Sequence, residues 1–178
     1  PDIDTLTYTL AGLNHPKNGW GRADETWTFM AALEALGGET WFRLGDGDLA
    51  THVERTRRLN AGETLTAITA DFCARLGVST RVVPMSDDPV RTVAETPDGP
   101  LAFQHYFVRD RCQPVVKGFR FAGAAEARAN PSFLEALADP GLSAVVICPS
   151  NPFISVDPIL TLPEVRAGLA ASPAPVIA

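Results

Sequence analysis

Apolar positions along this chain recur with a helical period in several stretches and gather into short runs in others. Phe29, Met30, Leu33 and Leu36 fall at i, i+1, i+4 and i+7, one face of a helix that Asp24 should cap and Gly37-Gly38 should end. Leu65, Ile68, Phe72 and Leu76 mark another, stopped by Gly77. Between them a polar helix is expected from Leu49 to Leu59, with His52, Arg55, Arg57 and Arg58 mostly on a solvated face. Near the start, Leu6, Thr9, Leu10 and Leu13 favour a short helix capped by Asp4 or Thr5, although the alternation of Leu6, Tyr8 and Leu10 also allows a strand. Pro131-Ser132 opens a helix through Leu137, and Pro163 opens one carrying Val165, Leu169 and Ala170.

The short runs predict strands. Thr40–Leu44 and Thr80–Pro84 are two of them. Val90–Glu95 and Leu101–Val108 flank the turn Pro97-Asp98-Gly99-Pro100 and read as a β-hairpin, with Gln104 and Tyr106 on one face and Phe103, His105 and Phe107 on the other. Val115–Phe121 reads as a third strand. Ala144–Cys148, five small or β-branched apolar residues, runs into Pro149-Ser150-Asn151-Pro152. Such a run predicts a strand buried on both faces, and open α/β sheets hold ligands in polar loops at that end. A plain strand-to-helix turn would use the same residues. Pro173–Ile177 looks like the beginning of one more buried strand. The expected class is α/β: one domain over residues 1–178 with an inserted α+β portion at about residues 60–125. A first residue Pro1 in place of Met suggests a piece of a longer protein.

Composition narrows the function classes. Over 178 residues, 46% hydrophobic and 20% charged content is that of an ordinary globular protein. A net charge of −6 argues against nucleic acid as a partner, though a few arginines can still hold a small phosphate. Three separated cysteines without a CxxC pair suggest no disulfide framework, so a cytoplasmic location is expected. No apolar run reaches the roughly 20 residues that a membrane helix needs.

Candidate chemistry sits in polar loops. His15, His52 and His105 lie in separate segments without zinc-ligand spacing, and Walker A, GxGxxG and GxSxG patterns are absent. What remains is Asp2 and Asp4, Gly45–Asp48, Ser86–Asp88, Arg109–Arg111 and Ser150-Asn151. Carboxylates with Ser, Asn and Arg are the residue types of phosphoryl transfer, where a protein positions groups and neutralises charge. Each loop is also explicable as turn chemistry, with Asp48 an expected helix N-cap. Trp20, between Gly19 and Gly21, either plugs the core or stacks on a planar ligand.

The blocks PDIDTLTYTLAG, GWGRADET, TWFRLGDGDLATH, PMSDDPVRT, FQHYFVRDRC and CPSNPFISVDPIL, in this order over nearly the whole chain, resemble the 2-phospho-L-lactate transferase family of coenzyme F-420 biosynthesis. The resemblance implies a Rossmann-like three-layer α/β core with an inserted portion. It implies Mg2+ as cofactor and a homodimer. It also implies transfer of a phospholactyl, phosphoenolpyruvyl or phosphoglyceryl group from a GDP-linked donor to the ribityl hydroxyl of the deazaflavin Fo, releasing GMP. By the same resemblance, Asp2 and Asp4 are the catalytic and metal-binding pair of PD-x-D. Trp20 and Arg22 are assigned to Fo, Asp46, Asp48 and His52 to the same cleft, and Ser86, Asp87 and Arg91 to the site through MSDDPVRT. Ser150 and Asn151 are assigned to the donor nucleotide, making their loop one wall of a two-substrate cleft. Gly47 replaces an expected charged residue, which implies a flexible backbone there, and Asp157 stands where a small residue is expected. A nucleotide or nucleotide-sugar binding regulator of the same superfamily is the alternative; GWGRADET, the expected deazaflavin block, tells against it.

Overall fold

The computed structural model describes residues 2–178. The chain is an α/β protein that divides into two compact units, Pro1–Pro84 and Met85–Ala178.

The first unit is helical: α1 (Asp2–Leu10), α2 (Thr28–Ala35), α3 (Asp46–Asn60) and α4 (Leu65–Arg75). In α1 the buried face is Asp4, Thr7 and Tyr8, whereas Leu6 and Leu10 are exposed. The expected leucine face is therefore wrong, because the polar side chains find partners inside the unit. Asp24 does not cap α2; it adopts a left-handed backbone at φ 53°, and α2 begins after Trp27. The amides of Thr28 and Phe29 are instead bonded by the carboxylate of Asp46. Asp46 and Asp48 lie in the first turn of α3, whose N-cap is Gly45, so Asp48 is not the cap either. The polar face of α3 is not generally solvated: Arg55 and Arg58 are largely buried in ion pairs, and only Arg57 stands mostly free of the surface. Thr64 caps α4 through the Ala67 amide, and Cys73, Val78 and Val82 form a core with Ile3, Ala11 and Leu76 around it.

Thr40–Leu44 and Thr80–Pro84 form no strand. Among the described residues neither has a neighbour to complete a ladder, and burial of Val82 in the helical core accounts for the apolar pattern of the second.

The second unit contains a three-stranded antiparallel sheet, order β2-β1-β3, from β1 (Arg91–Thr96), β2 (Gly99–Ala102) and β3 (Gly118–Ala122). The hairpin forms as expected, with Thr96 opposite Gly99 and Pro97-Asp98 as its loop. Thr96 Oγ1 donates to the Gly99 carbonyl at 2.7 Å, which fastens the turn. Its second strand ends at Ala102 rather than Val108, and His105–Arg109 forms a π-helical turn. Helical winding brings Phe103 against Phe107 at 5.3 Å and lets Phe103 and Tyr106 meet Phe119 edge-on; a strand would hold residues i and i+4 far apart.

After α5 (Pro131–Ala138), β4 comprises only Val145–Val146 and pairs in parallel with β5 (Val176–Ile177). Ala144–Cys148 is thus not buried on both faces. Val146 is 62% exposed, on a sheet of two strands among the described residues. A π-helical turn over Pro152–Val156, α6 (Asp157–Leu160) and α7 (Pro163–Ala171) follow β4. Leu162 and Val165, fully buried with Ala127 and Ala129, anchor α7 near Phe133 and Leu134 of α5. Among the described residues, no helix is long and apolar enough to cross a membrane.

Leu162→Ala should destabilise the protein by about 2–5 kcal/mol, since a fully buried leucine leaves a cavity that its neighbours fill only in part. Chemical denaturation monitored by far-ultraviolet circular dichroism, which follows the helices of both units, measures it. A change below about 0.5 kcal/mol would show that this cluster is not a core.

Candidate active site

Asp48, Thr51, His52 and Arg55 stand at i, i+3, i+4 and i+7 of α3, the spacing that stacks side chains on one helix face. The buried face of α1 brings Asp4 and Tyr8 against them. The Arg55 guanidinium holds the Asp4 carboxylate with both forks, Nη1 to Oδ1 at 2.5 Å and Nη2 to Oδ2 at 2.9 Å. The hydroxyl of Tyr8 donates toward Asp48 Oδ1 at 2.9 Å and lies 2.8 Å from Thr51 Oγ1. His52 Nε2 faces both carboxylates, 3.8 Å from Asp4 Oδ2 and 3.7 Å from Asp48 Oδ1, while Nδ1 is 3.4 Å from Arg55 Nη2. Ligand atoms of Asp4, Asp48 and His52 all lie within 4.8 Å of one another, so this group could hold a metal ion.

Two helix ends are held by each other's neighbours. Glu25 accepts the first free amides of α3, Gly47 at 2.7 Å and Asp48 at 2.8 Å. Asp46, in that same turn, accepts the first amides of α2 and the Thr26 hydroxyl. Those donors hold the Asp46 carboxyl below the usual carboxylate range, the Thr26 hydroxyl first. The reciprocal capping sets the position of Asp48. Gly47 is not a flexible point. It lies in the first turn of α3 with both backbone groups bonded, and a Cβ there would press on Glu25 and Arg22 at 3.2–3.3 Å. Arg22 donates to the Gly47 carbonyl and stands 5.4 Å from the centre of the Tyr8 ring, which links it to the cluster.

Burial pushes the Tyr8 phenol well above its ordinary range, with the Asp48 and Asp4 charges adding and Thr51 opposing. It remains a proton donor at physiological pH. Burial also lowers the pKa of His52, aided by the Arg55 charge; Asp48 and Asp4 oppose this without cancelling it. The imidazole is neutral at pH 7.

Of the residues singled out in the sequence, Asp4, Asp48 and His52 converge, with Arg22 beside them. Asp46 lies in the same first turn as Asp48 but is engaged in capping α2. Asp2, the other half of PD-x-D, is exposed at the start of α1 and outside the ligand group. Trp20 is 65% exposed in a loop closed by the Asn14–Arg22 bridge, so it is no core plug. The remaining five belong to the second unit. Ser86 is buried, donating to the Arg128 carbonyl at 2.6 Å and accepting the Asp88 amide. Asp87 and Arg91 are exposed. Asn151 accepts the amides of Phe153 and Ile154 at the π-helical turn, and Ser150 precedes it in an exposed loop. Tyr8, Glu25, Thr51 and Arg55 were not singled out for the site. The helical period of Asp48, Thr51, His52 and Arg55 could have found two of them.

The family model described as 2-phospho-L-lactate transferase CofD matches residues 1–178, and the chain belongs to that family. It is 42% identical over 99% of its length to a phosphoenolpyruvate transferase of Kitasatospora aureofaciens, covering 56% of that protein. It is also 42% identical to one of Mycobacterium avium, again over 99% of this chain and covering 54% of the relative. The chain thus spans about half the length of the curated relatives it matches. Among solved structures, protein BH3568 of Bacillus halodurans, of the UPF0052 family, superposes with a TM-score of 0.60 at 16% identity, over 96% of this chain and 50% of that one. That likeness shows the fold.

Two measurements check this site. In an NMR titration His52 should protonate below the ordinary 6.5, and Asp48→Asn should lower its pKa further by removing a stabilising charge. A pKa above 6.5 would contradict the placement. Since the unfolded chain then binds the proton more tightly, stability rises with pH through the window between the folded value and 6.5, and is insensitive to His52 above it. Arg55→Ala should cost about 3–5 kcal/mol by stranding the buried Asp4 carboxylate, and Asp4→Asn in the same chain should recover part of the loss.

Proposed function

We propose that this chain is part of a Mg2+-dependent transferase of coenzyme F-420 biosynthesis. It moves a phosphoenolpyruvyl group from a GDP-linked donor to the terminal ribityl hydroxyl of Fo. The hydroxyl oxygen bonds to the donor phosphorus that bears the acid, the bridge to the second phosphorus breaks, GMP departs, and the hydroxyl proton passes to a base. The observation that carries this reading is the convergence of Asp4, Asp48 and His52, drawn from the PDIDT and LGDGDLATH blocks of a chain matched by the family over its whole length. The names of the relatives favour enolpyruvate over lactate and glycerate as the donor acid.

Two carboxylates and a neutral imidazole fit a hard divalent cation, which is commonly held by one or two carboxylates and water. Asp4 and Asp48 would hold Mg2+, with His52 beside them; the ion, when bound, neutralises phosphate charge. Arg55 and Tyr8 keep the two carboxylates in place. Arg22 supplies a guanidinium for an anionic or polar edge of a substrate, and exposed Trp20 an indole for the deazaflavin ring. Asp2, Asp46, Ser86, Asp87, Arg91, Ser150 and Asn151 are proposed as further contributors from the family blocks. We also propose that the protein acts as a cytoplasmic homodimer.

Full-length protein mixed with Fo, Mg2+ and each of the three guanylylated acids should give GMP and a phosphodiester product of the expected mass, fastest with the enolpyruvyl donor. Nucleotide binding with no product from any donor would sink the enzyme reading and favour a regulator. Asp4→Asn and Arg22→Ala should each lower turnover by on the order of 100-fold. Near-normal rates would remove those residues from the site.

A further inference from the structure

We propose that Arg55 locks His52 in the tautomer that carries its proton on Nε2. The imidazole is then a positioning donor to the two carboxylates, and neither a metal ligand nor the base of the reaction. The tautomer stands on the geometry of α3. Its consequence for the cation rests on the transferase reading, which puts a divalent ion at Asp4 and Asp48.

A guanidinium offers only N–H donors and no acceptor. Arg55 Nη2 lies 3.4 Å from His52 Nδ1, so a hydrogen bond there requires a lone pair on Nδ1. An imidazole with a bare Nδ1 carries its one proton on Nε2. The donor is itself fixed, because the same Nη2 bonds Asp4 Oδ2 at 2.9 Å while Nη1 holds Oδ1. His52 and Arg55 are also three residues apart on α3, a spacing that keeps the two side chains adjacent. The Arg55 side chain is 16% exposed, which leaves water little room to replace it at the ring.

The other edge of the ring calls for the same tautomer. Nε2 faces Asp4 Oδ2 at 3.8 Å and Asp48 Oδ1 at 3.7 Å. Both distances exceed a hydrogen bond, so the N–H acts on the two carboxylates as a dipole with its positive end between them. A lone pair at Nε2 would be set against both negative charges. The only nitrogen in the Asp4, Asp48 and His52 group is thereby closed to a metal, and the group offers carboxylate oxygens alone. Oxygen ligands suit a hard cation, whereas a free imidazole would draw Zn2+ into the same place. With Nδ1 engaged by Arg55, the ring has no lone pair for the proton of an attacking hydroxyl, which leaves that proton to a carboxylate or to water.

Nitrogen–proton correlation spectra of the imidazole rings in full-length protein test the tautomer, the His52 signals being those lost in His52→Gln. The ring should show a protonated Nε2 and a bare Nδ1, with and without Mg2+. Competition between Zn2+ and Mn2+ tests the consequence. His52→Gln keeps an N–H donor without a nitrogen lone pair, so the Zn2+-to-Mn2+ affinity ratio should stay within about threefold of the wild type. Arg55→Lys keeps a cation for Asp4 but loses the second fork, and should raise that ratio by about tenfold as the ring is released. A proton on Nδ1 in the wild-type protein, a ratio that falls by about tenfold in His52→Gln, or an unchanged ratio in folded Arg55→Lys overturns the proposal. The first two readings decide it even where Arg55→Lys does not fold. Product formation is scored separately: normal turnover with the proton on Nδ1 removes the lock and leaves the transferase, and the Nε2–H tautomer without product from any donor does the reverse.

Discussion

The first unit depends on the two-forked bond between Arg55 and Asp4. A carboxylate on the inward face of a short helix needs a cation within reach, and Arg55, a donor fork of matching shape, satisfies both oxygens at once. That requirement turns α1 so that Asp4, Thr7 and Tyr8 face inward and Leu6 and Leu10 face solvent. It also turns α3, since the face bearing Arg55 must carry Asp48, Thr51 and His52 as well. A buried ion pair is weak evidence for stability, because desolvation offsets much of the attraction. What such a pair secures is position, and here it places one carboxylate while Tyr8 places the other.

Helix capping adds a second constraint of the same kind. The first turn of α3 would expose unpaired amides beside the Asp48 side chain, and Glu25 takes two of them. Asp46 does the same for α2. Because each carboxylate comes from beside the other helix, movement of one helix start costs hydrogen bonds at both. The backbone of Gly47 lies between Glu25 and Arg22, where a side chain would crowd both. Chain connectivity alone would leave this turn free to fray; the cross-capping holds Asp48 of the LGDGDLATH block in place.

Legibility in the sequence followed the range of the forces involved. Helices announced by local period and stop residues, such as α4 between Thr64 and Gly77, form nearly where the pattern puts them. The hairpin turn also forms, since Pro97-Asp98-Gly99 is local chemistry. Strands were read less well, because a strand exists only where a partner lies alongside: Thr80–Pro84 has the pattern and no partner, and Leu101–Val108 trades its second half for a turn that gathers Phe103, Tyr106 and Phe107. The long-range caps were invisible for the same reason, so Asp24 and Asp48 looked like caps while Asp46 and Glu25 did the capping. Of the residues that the family blocks assign to the site, Asp4, Asp48 and His52 come together. Tyr8 and Arg55 escaped notice because an aromatic and a charge on amphipathic helices usually mean core and surface.

The charge state of the cluster limits its chemistry. Tyr8 keeps its proton, His52 is neutral, and two carboxylates face a single guanidinium whose donors are already turned to Asp4. Such a site repels a bare phosphate and attracts a cation. Rigid placement strengthens the preference, since carboxylates fixed by Arg55, Tyr8 and the α3 cap cannot swing apart to relieve their mutual repulsion. A second cation lowers that repulsion and carries phosphate oxygens in with it, which is the physical reason a carboxylate-rich site can belong to phosphoryl chemistry. Arg22, held over the Tyr8 ring, is the cationic side chain of this unit placed beside the cluster without being bound to its carboxylates.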